Sequence, residues 1–394
     1  MRSHQLFRTI FFLGFSLFCT GYALGQTANH VSYIPINDQS LGSVTNPNID
    51  QSKEVGSIVY DEFVGSNGEY NLKVEIDLPF GTNNMEPLVS LVYNSNIENG
   101  HLGRGWKNAA VSFIERRGSD LFSDGQQTGT SLSSSDQYFF DGQRLVTSSL
   151  AKGAPQTVYQ TQIQSFQRIT SKNGQSGPES FIVETKKGVT YYYGLSQNSR
   201  FKGNSTNGAM VRWYLEKAED LHGNYISYTY DFGDNDPKLA RIEYTGNSKN
   251  NIAPYNKVEF NYEIRSDRWK EFVGDASTTD FASINYDNLL TSIEVSNSEV
   301  TFDTYNLEYG YEKGSYLLRI SRTSGNGEEL NPLVFDYKFA NYQWPSPTVT
   351  NYDFPPGYDH LDPDNRCNPF PTLPRPKVLN ESYHFLPGLI NFSC

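Results

Sequence analysis

The stretch DLHGNYISYTYDFGD, Asp220–Asp234, places an aromatic, alternating segment directly after a Gly-Asn pair. Successive side chains of an extended strand point to opposite faces. The pattern therefore predicts a strand whose large side chains lie mostly on one face. Glycine and asparagine tolerate the positive φ of a tight turn, and a turn is therefore predicted at Gly223-Asn224. One face of the strand would carry Ile226, Tyr228 and Tyr230, and the other Tyr225, Ser227 and Thr229.

The same period-two alternation recurs along the chain, in YNLKVEIDL (70–78), in KVEFNYEIR (257–265) and in the run from Tyr305 to Tyr311. Such alternation is typical of amphipathic strands. Asp141-Gly142 and Lys187-Gly188 lie between such runs and predict hairpins, and Thr245-Gly246-Asn247 predicts a further turn. No helical stripe of similar length is present. The sequence therefore predicts an all-β fold, a long antiparallel meander that forms a curved sheet or partial shell.

Composition supports this fold class and excludes one class of partner. The chain has 27 Tyr and 25 Phe against 3 Met, and 32 Gly to supply turns; aromatic residues suit half-buried pleated surfaces. The formal net charge is −12, and there is no cluster of Lys and Arg. Binding to phosphate backbones needs local positive charge, so nucleic acid is not an expected partner.

The N-terminus has the pattern of a secretory signal. Arg2 and Arg8 precede the apolar run TIFFLGFSLF (9–18), and small residues follow up to Gly25. The apolar run is much shorter than the ~20 residues that span a bilayer. We expect residues 1–25 to be a signal peptide cleaved near Gly25, and the mature protein to be secreted and not membrane-spanning.

Three further regions are expected after the signal: a polar leader at 26–56, a β domain at 57–344 and a Pro-rich tail at 345–394. The tail holds ten of the 19 prolines, and proline cannot donate to a sheet ladder. Cys367 and Cys394 both lie in the tail. Two states are open for them, a disulfide in an oxidising compartment or two free thiols.

Several segments resemble known protein families. The rhythm of Leu215–Asn247 resembles a Tyr-Asp (YD) repeat of the Rhs proteins. Asp77–Trp106, DLPFGTNNMEPLVSLVYNSNIENGHLGRGW, is similar to the opening signature of the SpvB N-terminal-domain family, and the segments 136–145, 211–225 and 316–337 match that family in the same order. The residues that carry the motifs are Gly81, Pro87, Tyr93, Gly103, Gly105, Trp106, Asp141, Gly142, Asp220, Gly223, Asn224, Tyr228, Tyr230 and Asp231.

The resemblance covers about residues 55–345 and implies a role in assembly. In the Tc-toxin B components of that family, β-strands help to build a hollow shell around a toxic piece of the partner subunit, and the shell is not the enzyme. The resemblance therefore implies a larger Rhs- or Tc-type toxin subunit as partner. No propeller repeats or long Rhs array follow the domain in this chain, so a stand-alone module, a component completed by a partner and a truncated relic all stay open.

The sequence predicts no catalytic, cofactor or metal site. His101 and the other histidines show no zinc spacing, and the acidic strings DFGDND (231–236) and DHLDPDN (359–365) do not fit a calcium loop; solvated turns are expected for both strings. Gly100, Gly103 and Gly105 lack dinucleotide-binding spacing. Glu216 and Asp220 are expected to be ordinary solvated side chains.

The predicted function is that of a secreted, non-enzymatic structural module of an Rhs/Tc-type toxin system, contributing β-sheet wall to a shell or scaffold. The alternative is a cell-surface or carbohydrate-binding protein whose tyrosines in strands 189–194 and 225–230 stack on sugars. An open sheet has unpaired edges that need covering. A partner, residues 26–56 or the Pro-rich tail is therefore expected along an edge.

Overall fold

A computed structural model describes residues 31–34 and 50–337, apart from 148–151, 153, 155, 173–176, 206, 275–280 and 299. The predicted signal peptide and the tail with Cys367 and Cys394 lie outside the described residues. The predicted domain boundaries near 57 and 345 stay predictions.

The first part of the described chain forms a small antiparallel sheet of four strands and a separate two-stranded pairing of β6 with β7. The four strands pair in the order β3-β4-β5-β8. Strands β6 and β7 form an antiparallel hairpin in the segment that connects β5 to β8. The bounds are β1 Tyr33–Ile34, β2 Glu54–Ser57, β3 Tyr60–Val64, β4 Tyr70–Glu75, β5 Ser90–Asn94, β6 Asn99–Gly100, β7 Gly103–Arg104 and β8 Trp106–Asn108.

The next strands close into a ring. The bounds are β9 Phe113–Arg117, β10 Gln137–Phe140, β11 Gln143–Val146, β12 Val158–Thr161, β13 Arg168–Ser171, β14 Phe181–Glu184, β15 Thr190–Tyr193, β16 Arg200–Phe201 and β17 Arg212–Glu219, with a four-residue helix α1 at Leu121–Asp124. Strands β9 to β15 pair in sequence order, and β15 then pairs with β17. The first half of β17 pairs with β9, Trp213 opposite Ile114, which closes the ring.

The second half of β17 carries the sheet onward as a meander. The bounds are β18 Asn224–Asp231, β19 Lys238–Asn247, β20 Asn256–Gly274, β21 Phe281–Asn297, β22 Val300–Tyr311, β23 Ser315–Ser324, β24 Leu330–Asn331 and β25 Leu333–Val334. Strands β17 to β23 pair antiparallel in sequence order, and β25 pairs with β23. The predicted all-β antiparallel meander is confirmed, with the ring as an added feature.

Part of the predicted leader covers a sheet edge, as expected. Strand β1 runs parallel to β22, with Tyr33 opposite Tyr309, along the end of β22 that has no register with β21. Strand β2 in turn pairs with β24. Unpaired N–H and C=O groups of an edge invite pairing with other chains, and β1 satisfies some of them within this chain.

Most predicted local features are confirmed. In β18 the side chains of Tyr228 and Tyr230 are buried, whereas Thr229 is exposed. Hairpins form at Asp141-Gly142 and Lys187-Gly188. The turn predicted at 245–247 is wrong, because those residues end β19 as a β-bulge: Tyr225 and Ile226 lie opposite Gly246 and Tyr244, and Thr245 is left over with φ 78°.

Side chains from alternate strands fill the ring. Tyr138, Tyr159, Phe181 and Trp213 come from β10, β12, β14 and β17, and each is at most 1% exposed. Phe181 meets Trp213 edge to face with ring centroids 5.1 Å apart, and Tyr138 lies 5.8 Å from Trp213. Since these strands are not neighbours, their side chains can meet only across the interior, so the ring is a packed core.

A buried ion pair ties the small sheet to the large one. Arg265 is fully buried and donates to Asp267 from Nε at 2.8 Å and from an Nη at 2.9 Å. Its other donors reach Gly100 O at 2.8 Å and Asn99 Oδ1 at 2.6 Å. Asp267 also accepts from Ser315 N at 2.8 Å. Burial raises the pKa of Asp267, but the hydrogen bonds from Arg265 and Ser315 outweigh it and bring the pKa to about 2.

Replacing the indole of Trp213 tests the ring core. We expect Trp213→Ala to lower the free energy of unfolding by about 4 kcal/mol, because the cavity left among Tyr138 and Phe181 cannot collapse fully. Urea unfolding followed by circular dichroism measures this change. Phe122, 94% exposed on α1, provides the control, and a Phe122→Ala loss as large as that of Trp213→Ala would contradict the assignment.

Removing the charge of Asp267 tests the ion pair. We expect Asp267→Asn to lower the free energy of unfolding at pH 7 by about 3 kcal/mol, because the buried Arg265 loses its counter-ion. The pKa of Asp267 is about 2 in the folded chain and 3.8 for an ordinary aspartate. The stabilisation is therefore present above pH 4 and is lost as pH falls from about 4 to about 2.

Urea unfolding at several pH values measures this difference between the two proteins. Asp234→Asn, at an exposed aspartate, is the matched control and should change little. A difference between wild type and Asp267→Asn that stays constant down to pH 2 would exclude the ion pair as its source.

Candidate functional site

The glycines of the segment GHLGRGW allow close packing around two aromatic rings. Tyr93 and Trp106 lie opposite each other on β5 and β8, with ring centroids 5.4 Å apart. Gly105 has φ 85°, and a Cβ there would lie 2.3 Å from the Tyr93 ring; a Cβ on Gly103 would lie 2.7 Å from Ser315 O. Only glycine fits these two positions, so the segment can approach both the small sheet and β23.

The turn that begins at Gly81 is equally tight. Gly81 N donates to Glu86 Oε1 at 2.9 Å, and a Cβ on Gly81 would lie 2.2 Å from Met85 O. Pro87 is buried behind this turn. These motif residues therefore shape the loop between β4 and β5.

Asp220 organises the turn between β17 and β18 and links it to the loop after β4. Its carboxylate accepts from His222 N at 2.8 Å, Asn224 N at 2.9 Å and Asn224 Nδ2 at 2.8 Å. Asn83 Nδ2 donates to it at 2.9 Å, and Gly223 takes φ 87°. Burial raises the pKa of Asp220, but the hydrogen bonds from Asn83 and Asn224 outweigh it and lower the pKa. Asp220 is thus a turn-forming group and not an ordinary solvated side chain.

The remaining motif residues also form turns and core contacts. Asp141 accepts from Phe113 N at 2.9 Å and precedes Gly142, which has φ 83°. Tyr230 packs on Tyr214 with centroids 4.8 Å apart, and Asp231 lies 3.4 Å from Lys238 Nζ. The structure therefore does not bring the predicted motif residues into one site.

The tyrosines considered for glycan binding are mostly inside the protein. Tyr193, Tyr228 and Tyr230 are between 2% and 8% exposed, and Tyr191 and Tyr192 are half-buried. The rings of Tyr193, Tyr228 and Tyr230 therefore pack in the core and offer no face to a sugar.

Strand β3 is an open sheet edge. Within the described residues it pairs only with β4, and all five of its residues are exposed. Phe63 is 61% exposed and Val64 68%, and Val59 just before the strand is also exposed. A flat edge with exposed apolar residues favours pairing with another chain.

A cleft lies next to this edge, on the face of the small sheet. Glu62, Leu72, Tyr93 and Trp106 form one cross-strand row of that face. Residues 333–337 cover its inner end, where Trp106 Nε1 donates to Tyr337 Oη at 2.9 Å. The outer end, near β3, stays open. This aromatic cleft has a volume of about 350 Å³ and is lined by the rings of Tyr60, Tyr70, Tyr93, Trp106, Phe335 and Tyr337.

The charges of the aromatic cleft have one sign. Glu62 and Asp336 line it, and no Lys, Arg or His does so among the described residues. The Tyr70 hydroxyl donates to Glu62. Burial and this hydrogen bond raise the pKa of Tyr70 to about 12, so the phenol stays neutral and holds the carboxylate in place.

A second cavity, of about 430 Å³, lies where the small sheet, the ring and the β20–β21 hairpin meet. Trp269 and Tyr286 stack on its wall with centroids 4.3 Å apart. His101 pairs there with Asp236. The solvated turn predicted for 231–236 is wrong at Asp236, which is fully buried. Burial raises its pKa, but the hydrogen bonds from His101 and Asn288 and the nearby charge of Lys238 together outweigh it and lower the pKa below its usual value.

Arg212, which lines this cavity, is paired within the protein. Arg212 donates to Glu115 at 3.1 Å and to Glu271 at 3.1 Å. Two donors on the wall, Asn108 Nδ2 and Trp269 Nε1, have no hydrogen-bond partner among the described residues. This cavity therefore lies between three parts of the fold. The aromatic cleft, in contrast, opens beside the free edge of β3.

No group of three or more His, Cys, Asp or Glu side chains among the described residues could hold a metal ion. No helix within the same residues is long and apolar enough to span a bilayer.

Sequence reasoning missed β3 and the aromatic cleft. The segment VYDEFV (59–64) has apolar pairs on either side of two acids, so apolar groups fall on both faces of a strand. That pattern, unlike the strict alternation of β4, was the available signal for an exposed edge strand.

Comparisons with known proteins agree with this fold. Residues 64–279 match the family model described as Salmonella virulence plasmid 65kDa B protein, SpvB. The crystal structure of TcdB2-TccC3 aligns with a TM-score of 0.53 at 18% identity, covering 74% of this chain and 17% of that one. The form without the hypervariable C-terminal region gives 0.54, also at 18% identity, with the same two coverages.

The N-terminal domain of SpvB from Salmonella typhimurium strain LT2 is 18% identical over 63% of this chain and 98% of its own, with a TM-score of 0.49. A comparison with curated proteins found no match. At these identities the solved structures show the fold alone, and this chain spans only about a sixth of the TcdB2-TccC3 chains. The family model, however, matches more than half of the chain, and the protein therefore belongs to the SpvB family.

Proposed function

We propose that this chain is a non-enzymatic structural module of an Rhs/Tc-type toxin system, exported from the cell, that contributes β-sheet wall to an assembly with a larger toxin subunit. The observation that carries the proposal is the open edge of β3, exposed on both faces. Membership of the SpvB family and the fold shared with TcdB2-TccC3 support a toxin-related module of the Tc/Rhs type.

The placement of the motif residues supports a structural role. Asp220, Gly105 and Trp106 are engaged in turns and core contacts, and His101 and Asp236 are engaged with each other. Catalytic groups need a reactive atom that a substrate can reach. A protein that acts by offering strands to a partner needs no such reactive atom.

Blocking the β3 edge tests the proposed assembly. A tagged chain, purified from the bacterium that makes it, is expected to elute with a larger Rhs- or Tc-type subunit, cross-linked through residues 55–64. Phe63→Lys should reduce the recovered subunit at least tenfold, since an edge lysine opposes strand addition. Size-exclusion chromatography and cross-linking mass spectrometry measure both effects.

Phe122→Lys is the matched control, because Phe122 is also exposed but lies on α1, outside the edge. It should leave the recovered subunit unchanged. A wild-type chain that elutes alone, or equal recovery with both lysine variants, would disprove the proposed role of the edge.

Export is tested separately by mass spectrometry of the chain in the culture medium. If residues 1–25 are a cleaved signal, the mature protein should begin near Gln26. Recovery of the protein only inside the cell, with Met1 or Arg2 intact, would contradict export.

A further inference from the structure

Hydrogen bonds at the two ends of β3 determine which of its backbone groups point outward. Val59 O accepts from Glu75 N at 3.3 Å, and Gly65 N donates to Glu69 O at 2.8 Å. In an antiparallel pair the residues alternate between bonding to the partner strand and pointing away from it. The backbone N–H and C=O groups that point toward β4 are therefore those of Val59, Asp61, Phe63 and Gly65. The backbone groups that point to the open side are those of Tyr60, Glu62 and Val64.

The outward-facing residues are also those next to the aromatic cleft. The side chains of Tyr60 and Glu62 line the cleft, so an added strand would lie directly beside its open end. In an antiparallel arrangement, the residue opposite Glu62 would place its side chain on the same face, with the two Cβ atoms ~5 Å apart. One side chain of the added strand can therefore enter the cleft.

The chemistry of the cleft selects a cation for that side chain. The faces of aromatic rings attract positive charge, and the carboxylates of Glu62 and Asp336 have no positive partner among the described residues that line the cleft. An anionic side chain would be repelled, and an aliphatic one would leave both carboxylates without a counter-charge. Arginine fits best, because its planar guanidinium can stack on a ring and bond to a carboxylate at the same time.

We propose that β3 is the docking edge for an extended strand of a partner protein, and that the aromatic cleft receives an arginine side chain from that strand. The inference rests on the proposed assembly function and names the contact by which it is made. Backbone pairing supplies attachment along β3, and the arginine in the cleft sets the register of the added strand.

Two short peptides test the proposal on the full chain. The first is acetyl-Thr-Val-Arg-Val-Thr-amide, and the second carries citrulline, the uncharged isostere of arginine, in the central position. Isothermal titration should show at least tenfold tighter binding of the arginine peptide. Glu62→Gln keeps the shape and the acceptor for Tyr70 but removes the charge, and it should bring the ratio of the two affinities close to one.

Backbone pairing is tested at Val64, whose N–H points outward. Val64→Pro removes this donor without breaking the ladder to β4, and it should weaken both peptides at least fivefold relative to Val64→Thr, which keeps the donor. Circular dichroism checks that each variant is folded, and Glu62→Gln gives an independent result if the proline variant is not.

The outcomes separate this inference from the proposed function. Equal affinity of the two peptides for the wild-type chain, or no binding of either, overturns the arginine site. If Phe63→Lys still abolishes recovery of the larger subunit, the assembly function stands without it. Tight, charge-dependent peptide binding with no recovered subunit supports the docking edge and removes the toxin-type partner.

Discussion

The pair formed by Arg265 and Asp267 is the contact on which the arrangement of the two sheets depends. Burying two charges costs several kcal/mol for each ion unless other groups satisfy them. Here the loop at Asn99 and the start of β23 at Ser315 provide those groups, and Tyr33 of β1 hydrogen-bonds to Ser315. Four segments far apart in sequence therefore meet at one point, and a shift of any of them would remove hydrogen bonds that support this buried pair.

The ring has no free strand edge, whereas the small sheet has one at β3. In the ring every strand has a neighbour on each side, and the interior is filled by rings such as Trp213 and Phe181. The small sheet ends in β3, where no neighbour is present in the described chain. A protein that seals one sheet and leaves the adjacent edge open is suited to being joined to another chain at a defined place.

Local pattern predicted local structure well. The alternation of 70–78 and of Tyr228 and Tyr230 gave the correct buried faces, because a strand has only two sides. The same rule could not place Arg265, which follows Ile264 in an alternating run. The register between β20 and β21 shifts after Ile264, where Trp269 is the next paired residue, and the bulge turns Arg265 inward.

Contacts between distant segments were beyond the reach of pattern analysis. Nothing in the segment around Ile114 shows that its partner is Trp213, since ring closure depends on the summed curvature of the strands between them. Asp236 looked like part of a solvated acidic turn because its partner, His101, lies far away in the sequence. The aromatic cleft was missed for the same reason, as its walls come from β3 and from residues 333–337.

Closure of the ring also has a consequence for how the chain folds. Hairpins such as β14–β15 join neighbouring residues, but the pairing of β9 with β17 joins Ile114 to Trp213. Contacts between distant residues form slowly, because the entropy of loop closure must be overcome first. Until β17 pairs with β9, the edge of β9 is free to pair with other nascent chains. This protein is therefore most susceptible to misassembly before the ring closes.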